Sequence, residues 1–401
     1  MAGALMQLVA YGAQDVYLTA EPTITFWKAV YRRHTNFAME SMEQTFNGTS
    51  NWGNKVVCRV SRNGDLMGRC YLRVTLPVLN PSDNWCNRVG FALIRWTELR
   101  VGGQMIDRLY ATWMHIWTEL THTYDQKRLL DKLVGPKGAD GAAGGEVEVA
   151  GGNTLNVPLL FAFCRHPGLA LPLIALQYHE VEIHIEFSAL SACASTAATQ
   201  ALSPSTYPLG YCSLWVDYIF LDTEERKEFA QKPHEYLIEI TQSQEQAVTT
   251  NSLNSVRLTF NHPTKFLTWA VREGTPAGDQ FTDFTLGSVA LGSTVTGAKI
   301  QLNGQDRFQF RDAEYFNYVQ SYQHFTGYPD LGINVYSFAI KPEEHQPSGS
   351  CNLSRIDNVN LNVQVANINT GTTGTPNLLV YALSYNVFRV ASGMGGLAYS
   401  N

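Results

Sequence analysis

Residues 180–187 read EVEIHIEF, a stretch in which polar and apolar side chains alternate at every position. Residues 358–365, NVNLNVQV, repeat this alternation with amides in place of charges. Because successive side chains of a strand point to opposite faces, each stretch predicts an antiparallel strand with one buried face. Similar segments recur between Gly, Pro, Asn and Ser residues, which indicates a β-sandwich or barrel. The further predicted strands are residues 70–76, 91–101, 213–221, 235–240, 256–260, 266–271, 299–302, 335–340 and 378–390.

Helical patterns are few. Aromatic and apolar residues at helical spacing predict one helix over residues 113–134 and another over residues 315–325. A third helix is predicted at Thr223–Gln231, with Asp222 as its N-cap and Pro233 beyond its end. The residues of the two predicted buried stripes are Trp113, Ile116, Trp117, Leu120 and Tyr124 in the first helix, and Tyr315, Tyr318, Val319, Tyr322 and Phe325 in the second.

Two similar sequences half a chain apart indicate an internal duplication. Residues 99–104 (LRVGGQ) and residues 300–305 (IQLNGQ) each precede one of the two aromatic helices. Each half also closes with a strand rich in Tyr and Phe, at residues 214–221 and 379–386. We therefore expect an all-β protein of two consecutive eight-stranded antiparallel sandwiches, with a few short helices in loops and one in the linker.

The composition argues against a nucleic-acid-binding role. The 401 residues include 29 Lys and Arg and 35 Asp and Glu, which gives a net charge of −6, whereas phosphate binding needs a basic surplus. Charged residues are only 16% of the chain, below the roughly 25% of an average soluble protein. An uncharged polar surface can pack against a neighbouring protein without burying unpaired charges. The composition therefore favours a structural subunit of a larger assembly.

Membrane and secretion signals are not found in the sequence. No apolar window reaches the length of a spanning helix, and the first residues lack the positive charge that precedes a signal peptide's apolar segment. The seven cysteines are an odd number without a Cys-x-x-Cys pair. This usage predicts reduced, mostly buried thiols.

A search for catalytic and metal-binding motifs leads us to expect no catalytic residue, no cofactor and no metal site. No two of the ten histidines are two positions apart, as a cupin metal site requires, and His179 and His184 have the wrong spacing for a zinc motif. No nucleophile elbow and no phosphate-binding loop is present. A carbohydrate-binding sandwich and a cupin-like metalloenzyme are the alternatives from other functional classes.

Two surface features are candidate sites. The basic cluster Arg32, Arg33 and His34 is interpreted as forming ion pairs, with Glu40, Glu43 or a neighbouring subunit, in preference to binding phosphate or lipid headgroups. Asn47 and Asn352 begin Asn-x-Ser/Thr sequences, which makes them candidate glycosylation sites.

Four stretches resemble the major capsid proteins of nucleocytoplasmic large DNA viruses. They occur in the order of that family, and the first and third are highly specific. They are residues 7–37 (QLVAYGAQDVYLTAEPTITFWKAVYRRHTNF), residues 171–187 (LPLIALQYHEVEIHIEF), residues 337–358 (SFAIKPEEHQPSGSCNLSRIDN) and residues 381–401 (YALSYNVFRVASGMGGLAYSN).

The resemblance implies a double jelly roll that forms homotrimers, which act as pseudo-hexagonal capsomers and tile an icosahedral shell over an internal membrane. It implies an N-terminal arm at the capsomer base over residues 1–25, a first jelly roll over 26–222, a helical linker over 223–234 and a second jelly roll over 235–401. Arg32, Arg33 and His34 would then be base or inter-subunit contacts. A minor capsid or penton protein is the nearest alternative.

The implied partners are other copies of the chain, neighbouring capsomers, and minor capsid and penton proteins. The internal membrane would be close by, without direct binding to nucleic acid. The implied location is the virion shell, assembled in cytoplasmic factories of the infected cell.

Overall fold

The computed structural model describes residues 3–80, 83–137, 154–196, 202–249, 251–274, 281–286, 293–366, 368 and 375–399. The chain divides into two compact units, Met1–Asn36 and Phe37–Asn401. In the described residues, no helix is long and apolar enough to cross a membrane.

The N-terminal unit contains two short helices, α1 (Gly3–Val9) and α2 (Val16–Thr19). Its described side chains are exposed, including the large apolar residues of both helices. Asp15 holds a local turn, because its carboxylate accepts a hydrogen bond from the amide of Gly12 at 2.8 Å. The unit therefore has no apolar core of its own within the described residues.

The first sandwich consists of two antiparallel sheets. Their orders are β1-β11-β3-β7 and β2-β9-β5-β6, and the short strand β8 also pairs with β3. The strands are β1 (Phe37–Gln44), β2 (Lys55–Arg59), β3 (Leu66–Thr75), β4 (Asp83–Trp85), β5 (Ile94–Val101), β6 (Gln104–Tyr110), β7 (Thr154–Pro158), β8 (Leu171–Pro172), β9 (Val181–Phe187), β10 (Ala194–Thr196) and β11 (Cys212–Leu221). Strands β4 and β10 form a separate short pair.

The second sandwich repeats this arrangement. Its sheets have the orders β12-β21-β14-β18 and β13-β20-β15-β16, with β19, β22 and β17 as short additions. The strands are β12 (His234–Ala247), β13 (Leu253–Leu258), β14 (Pro263–Arg272), β15 (Val295–Leu302), β16 (Gln305–Asp306), β17 (Arg311–Asp312), β18 (Asn334–Ser337), β19 (Cys351–Asn352), β20 (Val359–Val365), β21 (Asn377–Ala391) and β22 (Met394–Leu397).

The equivalence of the two sandwiches confirms the predicted double jelly roll. In each, one four-strand path begins with the first strand beside the last long strand (β1 beside β11, β12 beside β21), and the other path begins with the second strand. The duplicated sequence forms the same two-residue hairpin turn, with positive φ at Gly102 and Gly103 and at Asn303 and Gly304. Positive φ at both central residues is the geometry of type I′ turns, which match the twist of the strands they join.

The remaining helices lie between strands. They are α3 (Val89–Leu93), α4 (Ala111–Thr121), α5 (Tyr124–Val134), α6 (Ala162–Arg165), α7 (Leu190–Cys193), α8 (Thr223–Gln231) and α9 (Gln320–His324). A π-helical turn, Tyr315–Val319, leads directly into α9. The linker helix α8 has its predicted bounds, and Asp222 caps it by accepting a hydrogen bond from the amide of Thr223 at 2.7 Å.

Several predicted elements differ from the structure. The segment 113–134 forms two helices, because the chain becomes extended at His122 and Thr123 and a capping box starts α5. The predicted strand 91–101 begins only at Ile94, since its first residues belong to α3. The predicted strand 335–340 ends at Ser337.

The second predicted aromatic stripe is only partly buried, at Phe325 and in part at Tyr315. Helix 315–324, which combines the π-helical turn and α9, buries Phe316, Asn317, Gln320 and Ser321. Tyr318 and Tyr322 of the predicted stripe are 42% and 91% exposed. Spacing identified the helix, but the helix turns these tyrosines outward.

All seven cysteines lie in the described part of the chain and have free thiols. Four of them are buried, and the sulfur atoms of Cys70 and Cys164 are 3.5 Å apart. Burial raises the pKa of Cys58 to about 12, which keeps its thiol protonated and unreactive at neutral pH. The prediction of reduced, mostly buried thiols agrees with this arrangement.

The two glycines of the hairpin turn at residues 102–103 allow a matched test, because the ring of His179 lies close to Gly102 and not to Gly103. A Cβ at position 102 would lie 2.4 Å from Nδ1 of His179, which bonds to the carbonyl of Gly395 at 2.9 Å, whereas position 103 faces open space. Both glycines have positive φ, so Gly103→Ala should cost about 1 kcal/mol of unfolding free energy from backbone strain alone. Gly102→Ala should cost clearly more in urea denaturation, and equal costs would contradict the close approach.

Candidate functional site

Helix α4 is enclosed at the junction between the sandwiches. Its residues from Ala111 to Leu120 are all buried, including both polar and apolar positions. The ring of Trp113 stacks on Phe266 of the second sandwich at 6.0 Å and lies 5.7 Å from the ring of Tyr381. Trp117 also stacks on Phe266, at 6.2 Å. Each such aromatic pair contributes about 0.5–1.5 kcal/mol beyond the burial of its surface.

The second sandwich also completes the C-terminal hydrogen bonds of α4. The amide of Gly327 donates to the carbonyl of Leu120 at 2.8 Å, and the hydroxyl of Thr326 donates to the carbonyl of Thr121 at 2.9 Å. A Cβ at Gly327 would lie 2.4 Å from the carbonyl oxygen of Glu119, so only glycine fits there without a shift of the backbone. These bonds satisfy carbonyls that the end of a helix leaves unpaired, and they fix the two sandwiches to each other.

A buried ion network surrounds the same helix. The guanidinium of Arg88 lies 3.4 Å from the carboxylate of Glu119 and 3.0 Å from that of Asp131. Lys127 donates to Glu119 at 2.6 Å and to the carbonyl of Tyr328 in the second sandwich, also at 2.6 Å. The network therefore links α3, α4 and α5 to the second sandwich.

Asp330 is the charged contribution of the second sandwich to this network. It pairs with Lys137, and one of its oxygens lies 3.4 Å from Nε2 of His115. Burial opposes ionisation, but the hydrogen bond with His115 and the charge of Lys137 outweigh it and hold the pKa of Asp330 well below its usual value of 3.8. Asp330 is therefore a carboxylate at neutral pH.

His115, Glu119 and Asp330 present ligand atoms within 4.8 Å of one another, which is close enough to hold a metal ion. Lys127 and Lys137 already contact these carboxylates. With Arg88 they supply three positive charges for the carboxylates of Glu119, Asp131 and Asp330. A divalent cation would have to displace an ammonium group, so the donor set fits an ion network better than a metal centre.

A second polar group lies at the junction. Asp107 of the first sandwich accepts a hydrogen bond at 2.9 Å from the amide of Thr241 in the second sandwich. Burial raises the pKa of Asp107 to about 7, although this hydrogen bond and the nearby charge of Arg165 work in the opposite direction. Glu239 lies close by and binds both Lys265, at 2.6 Å, and Arg165, at 3.0 Å.

No pattern in the sequence marks the residues of either polar group. Arg88 and Asp330 are separated by more than two hundred positions, and no local motif marks their contact with the same helix. The available signal was the density of charged residues in the predicted helix 113–134, which one would expect to be exposed. In the structure Glu119 is buried and Lys127 and Asp131 are half-buried, because their partners come from other parts of the fold.

The basic cluster predicted from the sequence lies in the N-terminal unit. Arg32, Arg33 and His34 are exposed, and a ring nitrogen of His34 lies 2.8 Å from the carbonyl of Thr35. Their contacts with other chains stay a prediction.

The two candidate glycosylation sites occupy different environments. Asn47 is exposed, and its backbone forms an isolated bridge with Val57. Asn352 is exposed as well, but its side-chain oxygen caps a short helical turn by accepting from the amide of Ser354 at 3.1 Å. The hydroxyl of Ser354 accepts in turn from the amide of His262 at 2.7 Å, so the local fold already uses this pair of residues.

The two sandwiches, with their matching strand orders and a shared buried junction, define a double jelly-roll protein of the viral capsid class. A model described as "Major capsid protein N-terminus" matches residues 25–222, and one described as "Large eukaryotic DNA virus major capsid protein" matches residues 225–396. The chain belongs to this family of major capsid proteins and is a structural protein of the virion capsid.

Relatives with known names agree with this membership over the full length. The major capsid protein of Pyramimonas orientalis virus is 47% identical over 428 residues, which cover 100% of both chains. The major capsid protein of Paramecium bursaria Chlorella virus 1 is 42% identical over 457 residues, also with 100% coverage of both.

Solved structures agree as well. A chain of a quasi-atomic model of the PBCV-1 virus capsid is 37% identical, with a TM-score of 0.79 over 94% of this chain and 100% of that one. The Faustovirus major capsid protein has a TM-score of 0.72 over 97% and 96% of the two chains. It is only 12% identical, so that likeness concerns the fold alone.

The ion network predicts a pH-dependent effect of Asp330→Asn. Removing one member of a buried ion pair should lower the unfolding free energy by about 3 kcal/mol at pH 7. Because the folded-state pKa of Asp330 is depressed, its contribution is present above its ordinary pKa and is lost as the pH falls through the folded value. The difference between variant and wild type in urea denaturation should therefore shrink below about pH 4. Asp357→Asn, at an exposed position, is the control.

Asp107→Asn should have the opposite dependence on pH. The raised pKa of Asp107 means that its contribution to stability is lost as the pH rises from about 4 through about 7. Asparagine keeps the oxygen that accepts from Thr241 and does not ionise. We expect the variant to be more stable than the wild type by about 1–4 kcal/mol at pH 8, with a smaller difference at pH 5. A difference that does not vary with pH would contradict this reasoning.

Proposed function

We propose that three copies of the chain form a homotrimer in which six sandwiches make one pseudo-hexagonal capsomer, and that capsomers tile an icosahedral shell. The observation that carries this proposal is the repetition of one sandwich in a single chain, with the same sheet orders in both halves. Three chains of two equivalent units can occupy a position of sixfold symmetry in a lattice. The likeness to a chain of an assembled virus capsid supports the same arrangement.

A fixed angle between the sandwiches is necessary for such a lattice. Interfaces between domains of one chain are commonly mobile unless they are large and apolar. Here the apolar cluster of the first sandwich continues into Phe266, Tyr381 and Leu383 of the second. This continuity supports a subunit that enters the shell as one preformed piece.

The domain organisation that we propose follows the sequence boundaries. Residues 1–25 form an arm at the capsomer base, residues 26–222 and 235–401 form the two jelly rolls, and residues 223–234 link them. We propose Arg32, Arg33 and His34 as contacts with minor capsid proteins or neighbouring subunits, because they are exposed and basic while the chain as a whole is acidic.

The proposed surroundings complete this function. Minor capsid and penton proteins are the other protein partners, an internal membrane lies nearby, and assembly takes place in cytoplasmic factories. The role is structural and not enzymatic. Asn47 and Asn352 stay proposed glycosylation sites, and of the two Asn47 is favoured because Asn352 caps a backbone turn.

The proposal predicts a stable trimer. Light scattering coupled to size-exclusion chromatography should give a mass of about three times 44.6 kDa at micromolar protein concentration. Images of the particles should show a pseudo-hexagonal outline with threefold symmetry. A monomer under these conditions, at low and at high salt, would contradict the proposal.

A further inference from the structure

The two equivalent helices differ sharply in their exposure. Helix α4 follows the turn at residues 102–103 and is buried, while helix 315–324 follows the equivalent turn at residues 303–304. The stripe positions Trp113, Ile116, Trp117 and Leu120 of the first match the spacing of Tyr315, Tyr318, Val319 and Tyr322 of the second, at a separation of 202 residues. This is one residue more than the 201 between the two turns, so the second helix begins one residue later after its turn. All four are buried in α4, whereas in helix 315–324 Tyr318, Val319 and Tyr322 are 42%, 40% and 91% exposed.

The surface that buries α4 is one face of a sheet. In strand β14, Leu267, Trp269 and Val271 point into the core of the second sandwich, whereas Phe266 and Ala270 point outward into the apolar cluster of the first. The outward face of the sheet β12-β21-β14-β18 is therefore the platform for α4. The contact joins the helix of one sandwich to the outer face of a sheet of the next.

The first sandwich has an equivalent platform, which the described residues of the single chain leave partly exposed. The outer face of the sheet β1-β11-β3-β7 carries Tyr71 and Trp215, whose rings stack at 6.2 Å, and both side chains are partly exposed. The guanidinium of Arg73 lies over Trp215 at 5.9 Å. Aromatic residues and arginine are enriched at the centres of protein interfaces. Phe37 and Met39 of the edge strand β1 add exposed apolar surface.

Charges of opposite sign predominate on the two surfaces, although exposed Glu43 lies opposite Trp215 on the platform and exposed Arg311 precedes the helix. The exposed acidic residues Asp312 and Glu314 lie at the start of helix 315–324. Arg69 and Arg73 are exposed on the outer face of β3. In the contact within the chain, the corresponding helix start places Thr112 in a 2.7 Å hydrogen bond with Arg272 at the end of β14. If Asp312 and Glu314 faced Arg69 and Arg73, the start of the helix would again bind arginine side chains of a sheet.

We propose that helix 315–324 of one copy packs on the outer face of the sheet β1-β11-β3-β7 of a second copy, and so repeats between chains the contact that α4 makes within the chain. This inference rests on the proposed homotrimer and specifies its interface. Each chain offers one helix and one platform, so the contact is head-to-tail and closes into a ring after three copies. The exposed tyrosines are then interface residues of the assembled capsomer.

The test introduces charge on each surface separately. Val319→Asp combined with Tyr322→Asp changes the helix, and Arg69→Glu combined with Arg73→Glu changes the platform and places it against Asp312 and Glu314. All four side chains are substantially exposed in the single chain, so thermal unfolding of the isolated subunit should change little. Each double variant should weaken the trimer by at least about tenfold in the concentration of half-dissociation. Tyr178→Asp, at a tyrosine that is 75% exposed on neither surface, is the control and should leave the trimer intact.

Mixing the two double variants gives the sharpest result. One intact helix and one intact platform remain in the mixture, on different chains. A head-to-tail contact therefore predicts heterodimers that cannot close, whereas each variant alone stays monomeric.

The outcomes separate the two proposals. A wild-type protein that is monomeric would overturn the proposed homotrimer itself. A trimeric wild type whose double variants are also stable trimers would overturn only this interface. Mixtures that contain no heterodimer, when both variants are monomeric, would overturn the head-to-tail arrangement.

Discussion

The burial of helix α4 between the sandwiches is the contact on which the arrangement of the second unit depends. A helix that is enclosed on every side can adopt only one position, because tightly packed interiors do not deform continuously. Its tryptophans lie on Phe266, and the amide of Gly327 closes its last turn. The charges around it are balanced within the network, so the contact carries little unpaired charge. This contact fixes the relative orientation of the two sandwiches, which the linker alone would leave free to vary.

The strands were accessible from the sequence because a half-buried strand has a strict period of two. The alternation in residues 180–187 corresponds to β9, and the duplicated turns identified the repetition of the whole sandwich. The helices were harder, for a physical reason. A stripe at helical spacing marks the buried face only when the other face meets water, and α4 has no face in water. The charged residues near it resembled a solvated surface because Arg88 and Asp330, which complete their ion network, lie outside the predicted helix.

Helix 315–324 also shows that a sequence pattern does not determine burial. Its aromatic residues follow the spacing of a buried stripe, yet in the single chain the buried positions are Phe316, Asn317, Gln320 and Ser321. The candidate sites at Arg32, Arg33 and His34 could be located from the sequence, but their role depends on other chains. Whether a side chain is buried depends on the whole assembly. A sequence pattern marks an apolar face but does not say whether the same chain or another copy covers it.

Duplication makes this ambiguity informative. A gene that repeats one sandwich also repeats its contact surfaces, so every helix and platform exists twice and one pair is satisfied within the chain. The remaining helix and platform must then either become polar or meet those of another copy. Tyr318 and Tyr322 are exposed aromatic residues, and the platform with Tyr71 and Trp215 is partly apolar. Exposed apolar surface can form a specific contact with another copy when the contact buries no unpaired charge. The low charge content of the chain meets this condition. The exposed tyrosines and the exposed platform of the isolated subunit are therefore the second copies of the helix and the sheet face that form its buried junction.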